Sequence, residues 1–349
     1  MGDETEIVRH IVKATTLKDI AEQTGYTVNT VSRALKNKSD ISEATRTLIQ
    51  QKAQELGYIG NTMASSLRSG MTRTIAVIVA DVSNPHFSIA VKEIESAARK
   101  HDYTTFILNS YEDQDLEEKA IISALSKNVD GIIICPSQGG GQNIAFLQRT
   151  GTPFVLLGRR LDNDDVMDYV VSDDEKGGYL AAMHLLELGH RDILFLNAHH
   201  SISSSRERLA GYKHAMEEMG VPIRNELIRE ISTISGGVRN ELKEIMESKL
   251  PFTAIFAFND MMAWEAIFTL NKHHIRVPEN ISVVGFDNIQ SRMFIPFPLT
   301  SVSNSKGKTS RKAFEILMKR IHKQNTELRY HEVVDTRLVI RESTRALPE

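Results

Sequence analysis

From Thr74 onward, short apolar stretches alternate with longer amphipathic ones. IAVIVA (75–80), GIIIC (131–135), PFVLL (153–157), DILFL (192–196), TAIFAF (253–258) and ISVVGF (281–286) have strand length and no polar alternation, the pattern of strands buried on both faces. After the first of them, Phe87, Ala90, Val91, Ile94, Ala97 and Ala98 recur at helical spacing and predict a helix laid against a sheet. Such alternation predicts an α/β fold with parallel sheets. Its length suits two lobes, with a ligand beyond the carboxyl ends of the strands.

Residues 16–36 follow a different period. TLKDIAEQTGYTVNTVSRALK offers Thr16 as N-cap of a short helix that turns Leu17, Ile20 and Ala21 inward, then Gly25 for a tight turn. Thr27 caps a second helix, on which Val31 and Leu35 face the core and Val28, Asn29, Thr30, Ser32 and Arg33 face outward. An ordinary surface helix pair would need none of this agreement between caps, turn and polar face. The outward set suits a DNA major groove: Asn pairs with adenine, Arg with guanine, Val touches a thymine methyl and hydroxyls take phosphates. A third helix is predicted from about Ser42 to Leu56, with Leu48, Ile49, Lys52, Ala53 and Leu56 as its inner stripe. Next comes NTMASSLRSG (61–70), whose only apolar residues are Met63, Ala64 and Leu67. Helices below about 12–15 residues are marginal in water, so in isolation this stretch reads as a linker. Two copies side by side could instead fold over the minor groove and wedge Leu67 between base pairs.

These blocks resemble the lactose-repressor (LacI/GalR) family of bacterial transcription regulators, over residues 16–345. The resemblance rests on TLKDIAEQTGYTVNTVSRAL, ELGYIGNTMASSLRSG, VADVSNPHF, GGYLAAMHLLELGHRDI, FNDMMA and VVGFDN. It implies Val28, Asn29 and Arg33 as base readers, Thr27, Thr30 and Ser32 as phosphate contacts and Leu67 as the minor-groove wedge. Thr16, Leu17, Lys36, Asn61 and Ala64 complete the expected DNA-contacting set. It also implies a helix-turn-helix head (1–59), a hinge (60–73) and a two-lobed, periplasmic-binding-protein-like core (74–349). Within that core the first lobe is expected at about 74–172 and 304–330, and the second at about 173–303 and 331–349. Gly60 stands where the family usually has proline, and Ser65 where it has arginine.

Charge alters the picture only when divided along the chain. The 349 residues carry a net charge of −3. Yet residues 13–70 hold eight basic side chains (Lys13, Lys18, Arg33, Lys36, Lys38, Arg46, Lys52, Arg68) against five acidic ones (Asp19, Glu22, Asp40, Glu43, Glu55). A local positive surplus suits phosphate contacts and salt-sensitive binding. The single cysteine, Cys135, excludes an intrachain disulfide and a cysteine-based zinc site. The acidic start MGDETEIVRHIVKAT has no apolar targeting core and no run is long enough for a bilayer, so a cytoplasmic protein with no membrane partner is expected.

Polar residues after the predicted strands are the candidates for a small-molecule site: Asp81, Ser83, Asn84, His86 and Phe87 after the first, then Cys135, Ser137, Gly158, Arg159, Asn259, Asp260 and Asp287, with Arg206 and Arg208 near a helix start. Carboxylates, amides and arginine bond hydroxyls, and an aromatic face covers the apolar side of a sugar. A helix cap or loop hydrogen bond serves each residue equally well. The family resemblance raises Arg208, Asn259 and Asp287, and then His86 and Phe87. The expected effector set is Asp81, His86, Phe87, Cys135, Arg208, Asn259 and Asp287, with a sugar favoured as effector. Cys135, Gly158 and Ile231 depart from the lactose-type pattern of amide, carboxylate and aromatic platform.

His184 and His190, six apart, do not stack on one helix face and are read as structural. Trp264 is read as core or subunit contact. No GxxxxGK[ST], GxSxG or HExxH occurs, and Gly139-Gly140-Gly141 lacks nucleotide-loop spacing; no enzyme, metal or cofactor is expected. The tail RALPE carries no heptads, which favours a homodimer on a near-palindromic operator. A sugar binder or sugar-modifying protein with an accessory DNA-binding head is the alternative, and activation or corepression would need the same fold.

Overall fold

The structure, a computed structural model, describes residues 15–60, 70–137, 139, 141–161, 166–232, 236–295, 297–324 and 327–347. It divides into two compact units, Met1–Gly70 and Met71–Glu349. Asn61, Ala64 and Leu67, expected in the hinge, lie outside the described residues.

In the first unit three helices, α1 (Leu17–Thr24), α2 (Val28–Leu35) and α3 (Glu43–Glu55), close on Ile20, Ala21, Val31, Ala34, Ile49 and Ala53. Local chemistry fixes each end. Thr16 and Asp19 form a reciprocal capping box on α1, and Gly25 ends it at φ 72°, a left-handed conformation that glycine adopts without strain. Thr27 Oγ1 accepts from Thr30 N at 3.1 Å at the start of α2. On α3 the expected inner stripe is one residue too wide: Leu48 is 47% exposed. The two neighbouring helices cover only the face bearing Ile49 and Ala53.

The second unit holds two six-stranded sheets. The first runs β11-β5-β4-β3-β1-β2 and is parallel throughout. Its strands are β1 (Thr74–Val79), β2 (Thr104–Asn109), β3 (Gly131–Ile134), β4 (Phe154–Leu157), β5 (Tyr169–Ser172) and β11 (His331–Val334). Its helices are α4 (Pro85–Lys100), α5 (Gln114–Ser126), α6 (Gly141–Arg149) and α11 (Lys306–Ile321). Alternate residues of β1 feed opposite cores: Ile75, Val77 and Val79 meet Ile94 of α4 and Phe314 of α11, while Ala76 and Ile78 meet Ile121 and Ile144 of α5 and α6. That is why the run shows no polar alternation.

The second sheet runs β12-β10-β9-β8-β6-β7, with only the edge strand β12 antiparallel. Its strands are β6 (Ile193–Asn197), β7 (Ile228–Glu230), β8 (Ala254–Ala257), β9 (Ser282–Phe286), β10 (Thr300–Ser303) and β12 (Arg337–Val339). Helices α7 (Asp174–Glu187) and α8 (Ser203–Glu218) cover one face, α9 (Gly237–Glu247) and α10 (Asp260–Lys272) the other.

The chain crosses between lobes after β5, after β10 and after β11. His331–Val334 pairs in parallel with β5 and so belongs to the first lobe, not to the second as the expected boundary at 330 implied. Joining β5 satisfies an otherwise open sheet edge, a long-range pairing that the half-exposed HEVV does not announce. At the crossings Asp173 N donates to Val334 O at 2.9 Å and Thr336 Oγ1 to Asp173 O at 3.1 Å.

Candidate functional site

On the first unit, α2 carries a largely polar face. Val28 is 45% exposed; Asn29, Arg33 and Lys36 are exposed, and Thr30 and Ser32 half-buried. Thr16 and Thr27 are exposed at their caps, whereas Leu17 packs partly against the three-helix core. Arg33 is held by an acid: its Nε donates to Asp40 Oδ2 at 2.8 Å and its Nη2 lies 2.6 Å from the same oxygen. The hydrogen bond from Arg33 draws the Asp40 carboxyl below its ordinary range.

In the second unit the ends of the strands open into a cleft between the lobes. The cavity there encloses about 640 Å³, within the range of small-molecule sites. All seven expected effector residues line it: Asp81, His86, Phe87 and Cys135 from the first lobe, Arg208, Asn259 and Asp287 from the second. The geometry of each explains its place. Asp81 follows β1 and accepts from Ser83 N at 2.8 Å, turning the chain into α4, where Asn84 caps the helix. Asn259 caps α10, accepting from Met262 N at 2.8 Å. Thus two residues serve as caps and lining at once.

Asp287 is the electrostatic centre. Its backbone sits at φ 106°, a sparsely populated conformation for a non-glycine residue that costs of order 1–3 kcal/mol. It is held there because its N–H donates to Val302 O at 2.8 Å, Lys306 Nζ donates to its carbonyl, and Asn304 Nδ2 donates to its Oδ1 at 2.8 Å. Across the cleft His86 Nδ1 stands 2.9 Å from Asp287 Oδ1, a close polar contact between the lobes. Burial pushes the Asp287 carboxyl up, but His86, Lys306 and Arg208 outweigh it and hold it at about 2. Neighbouring Asp260 has the opposite balance: burial and the Asp287 charge push it up to about 7. It accepts from Ser301 Oγ at 2.5 Å and Ile289 N at 2.7 Å and does not line the cavity. Burial raises the Cys135 thiol to about 11, so it presents a neutral sulfur to the cleft.

Arg208 is committed in several directions. Its Nε donates to Asp174 Oδ1 at 2.8 Å, its Nη1 to Phe258 O at 2.5 Å, and its guanidinium lies over the Phe258 and Phe286 rings, 4.3 and 3.6 Å from their centroids. Asp174 was not anticipated, because DEKGG reads as an ordinary acidic helix start. Three glycines give Arg208 its depth. A Cβ on Gly178 would fall 2.2 Å from Arg208 O, one on Gly211 2.0 Å from Glu175 O, and one on Gly177 2.6 Å from the Phe286 ring. Helices α7 and α8 therefore touch backbone to backbone.

Other expectations resolve differently. Trp264 packs against the second-lobe core and also lines the cavity, and its Nε1 is buried without a hydrogen-bond partner. Arg206 lies off this cavity, its Nη1 donating to His200 O and Ser201 O at 3.0 Å. Ser137 is buried, donating its N–H to Glu117. Ile231 is core. His190 is buried among Thr253, Ser282 and Arg345 O, and His184 meets Thr344, so both are structural. Missed in the sequence were Lys306, Asn304 and Glu112, which pairs bidentately with the anticipated Arg159 (2.6 and 2.7 Å); tertiary packing brings all four to the lining.

Residues 16–61 match the bacterial regulatory proteins of the lacI family, and residues 72–339 match the periplasmic binding proteins and sugar binding domain of the LacI family. The chain belongs to the LacI family. It is 31% identical over 95% of its length to the HTH-type transcriptional repressor PurR of Actinobacillus pleuropneumoniae serotype 3 (strain JL03), covering 99% of that protein. It is 32% identical over 91% of its length to PurR of Aliivibrio fischeri (strain MJ11), covering 95% of that protein. Among solved structures, a lac repressor dimer bound to operator and the anti-inducer ONPF is similar at TM-score 0.83 and 26% identity, covering 96% of this chain and 100% of that one. A LacI family regulator from Enterococcus faecium with bound ribose is similar at TM-score 0.71 and 28% identity, over 79% of this chain and 100% of that one. This LacI-family chain is a DNA-binding transcriptional regulator, not an enzyme. Among the described residues no helix is long and apolar enough to cross a membrane.

Proposed function

We propose that this LacI-family chain is a repressor that binds a near-palindromic operator as a homodimer and is switched by a small effector, a sugar or sugar derivative. The observation that carries the reading is one cavity lined from both lobes, with His86 of one lobe 2.9 Å from Asp287 of the other. A ligand bonded to both sides changes the cost of opening or closing the cleft. The solved relatives support a sugar: one holds bound ribose and another, the transcriptional regulator CelR, 26% identical at TM-score 0.70, is a cellobiose complex. The lining chemistry agrees, since Asp81, Asn259 and Asp287 offer acceptors to hydroxyls and Phe87 and Trp264 offer apolar faces.

The DNA end of the reading assigns base contacts to Val28, Asn29 and Arg33 and phosphate contacts to Thr27, Thr30 and Ser32. Thr16, Leu17, Lys36, Asn61 and Ala64 complete the interface, and Leu67 is the minor-groove wedge. Moving a population from 1:99 to 99:1 requires the effector to favour one state by about 5.5 kcal/mol. A thermal-shift screen of sugars, sugar phosphates and purines, followed by operator titration with each hit, tests the whole. A sugar that shifts both melting and operator affinity supports the reading. A purine as the sole hit replaces the sugar assignment, and Leu67→Ala with unchanged affinity and DNA bending removes the wedge.

A further inference from the structure

Away from the cleft, the turn after β6 and the end of β7 bring two imidazoles and a carboxylate together. Parallel pairing sets Glu230 beside Asn197, two residues before His199. Glu230 Oε1 lies 3.2 Å from His200 Nδ1 and its Oε2 3.9 Å from His199 Nε2. One ligand atom from each of the three residues lies within 4.8 Å of the others, and the two imidazole centroids are 4.3 Å apart.

We propose that His199, His200 and Glu230 form a site for a zinc-class divalent cation. Zinc bonds to imidazole nitrogen and carboxylate oxygen at 2.0–2.2 Å, which in tetrahedral geometry separates the ligand atoms by about 3.3 Å. One edge of the triangle already has that length, and the others close by side-chain rotation at solvent-exposed positions. Ser201 holds the His199 ring from its other nitrogen, its N–H donating to Nδ1 at 3.3 Å and its Oγ 2.9 Å away, which leaves Nε2 on the side of Glu230. Arg206 Nη1 anchors the turn from below through His200 O and Ser201 O. Two nitrogens and one oxygen select zinc, nickel or copper over magnesium and calcium, which take oxygen ligands. A bound ion would fasten the start of α8, the helix that carries Arg208, to the second-sheet edge.

The test is calorimetric titration of the untagged full-length protein with zinc sulfate, with magnesium chloride as comparison. One zinc per chain is expected, with affinity about tenfold or more weaker in His199→Ala and in Glu230→Gln, and no competition from magnesium. Both substituted positions are exposed, so unchanged melting curves without metal are expected to accompany the loss. Zinc binding equal in wild type and both variants, displacement by equimolar magnesium, or binding only above millimolar zinc would each overturn the proposal.

Discussion

Gly178→Ala adds a single methyl group where two helices meet backbone to backbone. The added methyl carbon would sit 2.2 Å from Arg208 O, and ordinary contact begins at 3.4 Å, so one helix must retreat by about 1.2 Å. Arg208 O is main chain within a helix and cannot turn aside as a side chain could. Overpacking of this kind costs about 1–3 kcal/mol. At about 2–4 °C per kcal/mol for a domain of a few hundred residues, the expected fall in melting temperature is roughly 2–12 °C. The displacement also moves the guanidinium from between Phe258 and Phe286, so ligand binding in the cleft weakens, read by fluorescence of the only tryptophan, Trp264, which lines it. Gly141→Ala is the control: at the start of α6, with open space around it, it is neutral or stabilising by up to about 1 kcal/mol. A Gly178→Ala protein that melts with wild type shows that the backbone contact does not position Arg208.

Thr27→Ala removes the acceptor for Thr30 N and costs the first unit about 1 kcal/mol, seen as a lower operator affinity and a lower melting temperature of the head. Asp40→Asn frees Arg33 from its ion pair, and titration against operators altered at one guanine is expected to show relaxed discrimination at that base; discrimination unchanged refutes a role for Asp40 in holding Arg33. Asp260, raised from 3.8 to about 7, binds its proton more tightly folded than unfolded, so its contribution is full below pH of about 4 and is lost as pH rises to about 7. Asp260→Asn is expected to flatten that part of the stability profile in urea melts between pH 5 and pH 8. Asp287, held at about 2, acts in the opposite sense: its contribution is present above pH of about 4 and is lost on acidification toward 2.

The chain order carried a great deal by itself. Thr16, Gly25 and Thr27 specify the ends of α1 and α2 through contacts three or four residues away, so their roles stand in the sequence. Runs such as IAVIVA declare burial on both faces, because a strand with helices on either side has no polar position to spare. What lies between distant segments was not legible. HEVV becomes a strand only where β5 offers an open edge, and Leu48 is exposed because α1 and α2 cover a narrower face of α3 than its apolar stripe suggests. Asp174 and Lys306 look like ordinary helix-start residues until the lobe crossings bring them against Arg208 and Asp287. Glu230 meets His199 and His200 only through the β6–β7 register. Helix caps are satisfied within one turn and are written locally; sheet edges, buried charges and shared ligand sites need a partner far along the chain, and only folding supplies it.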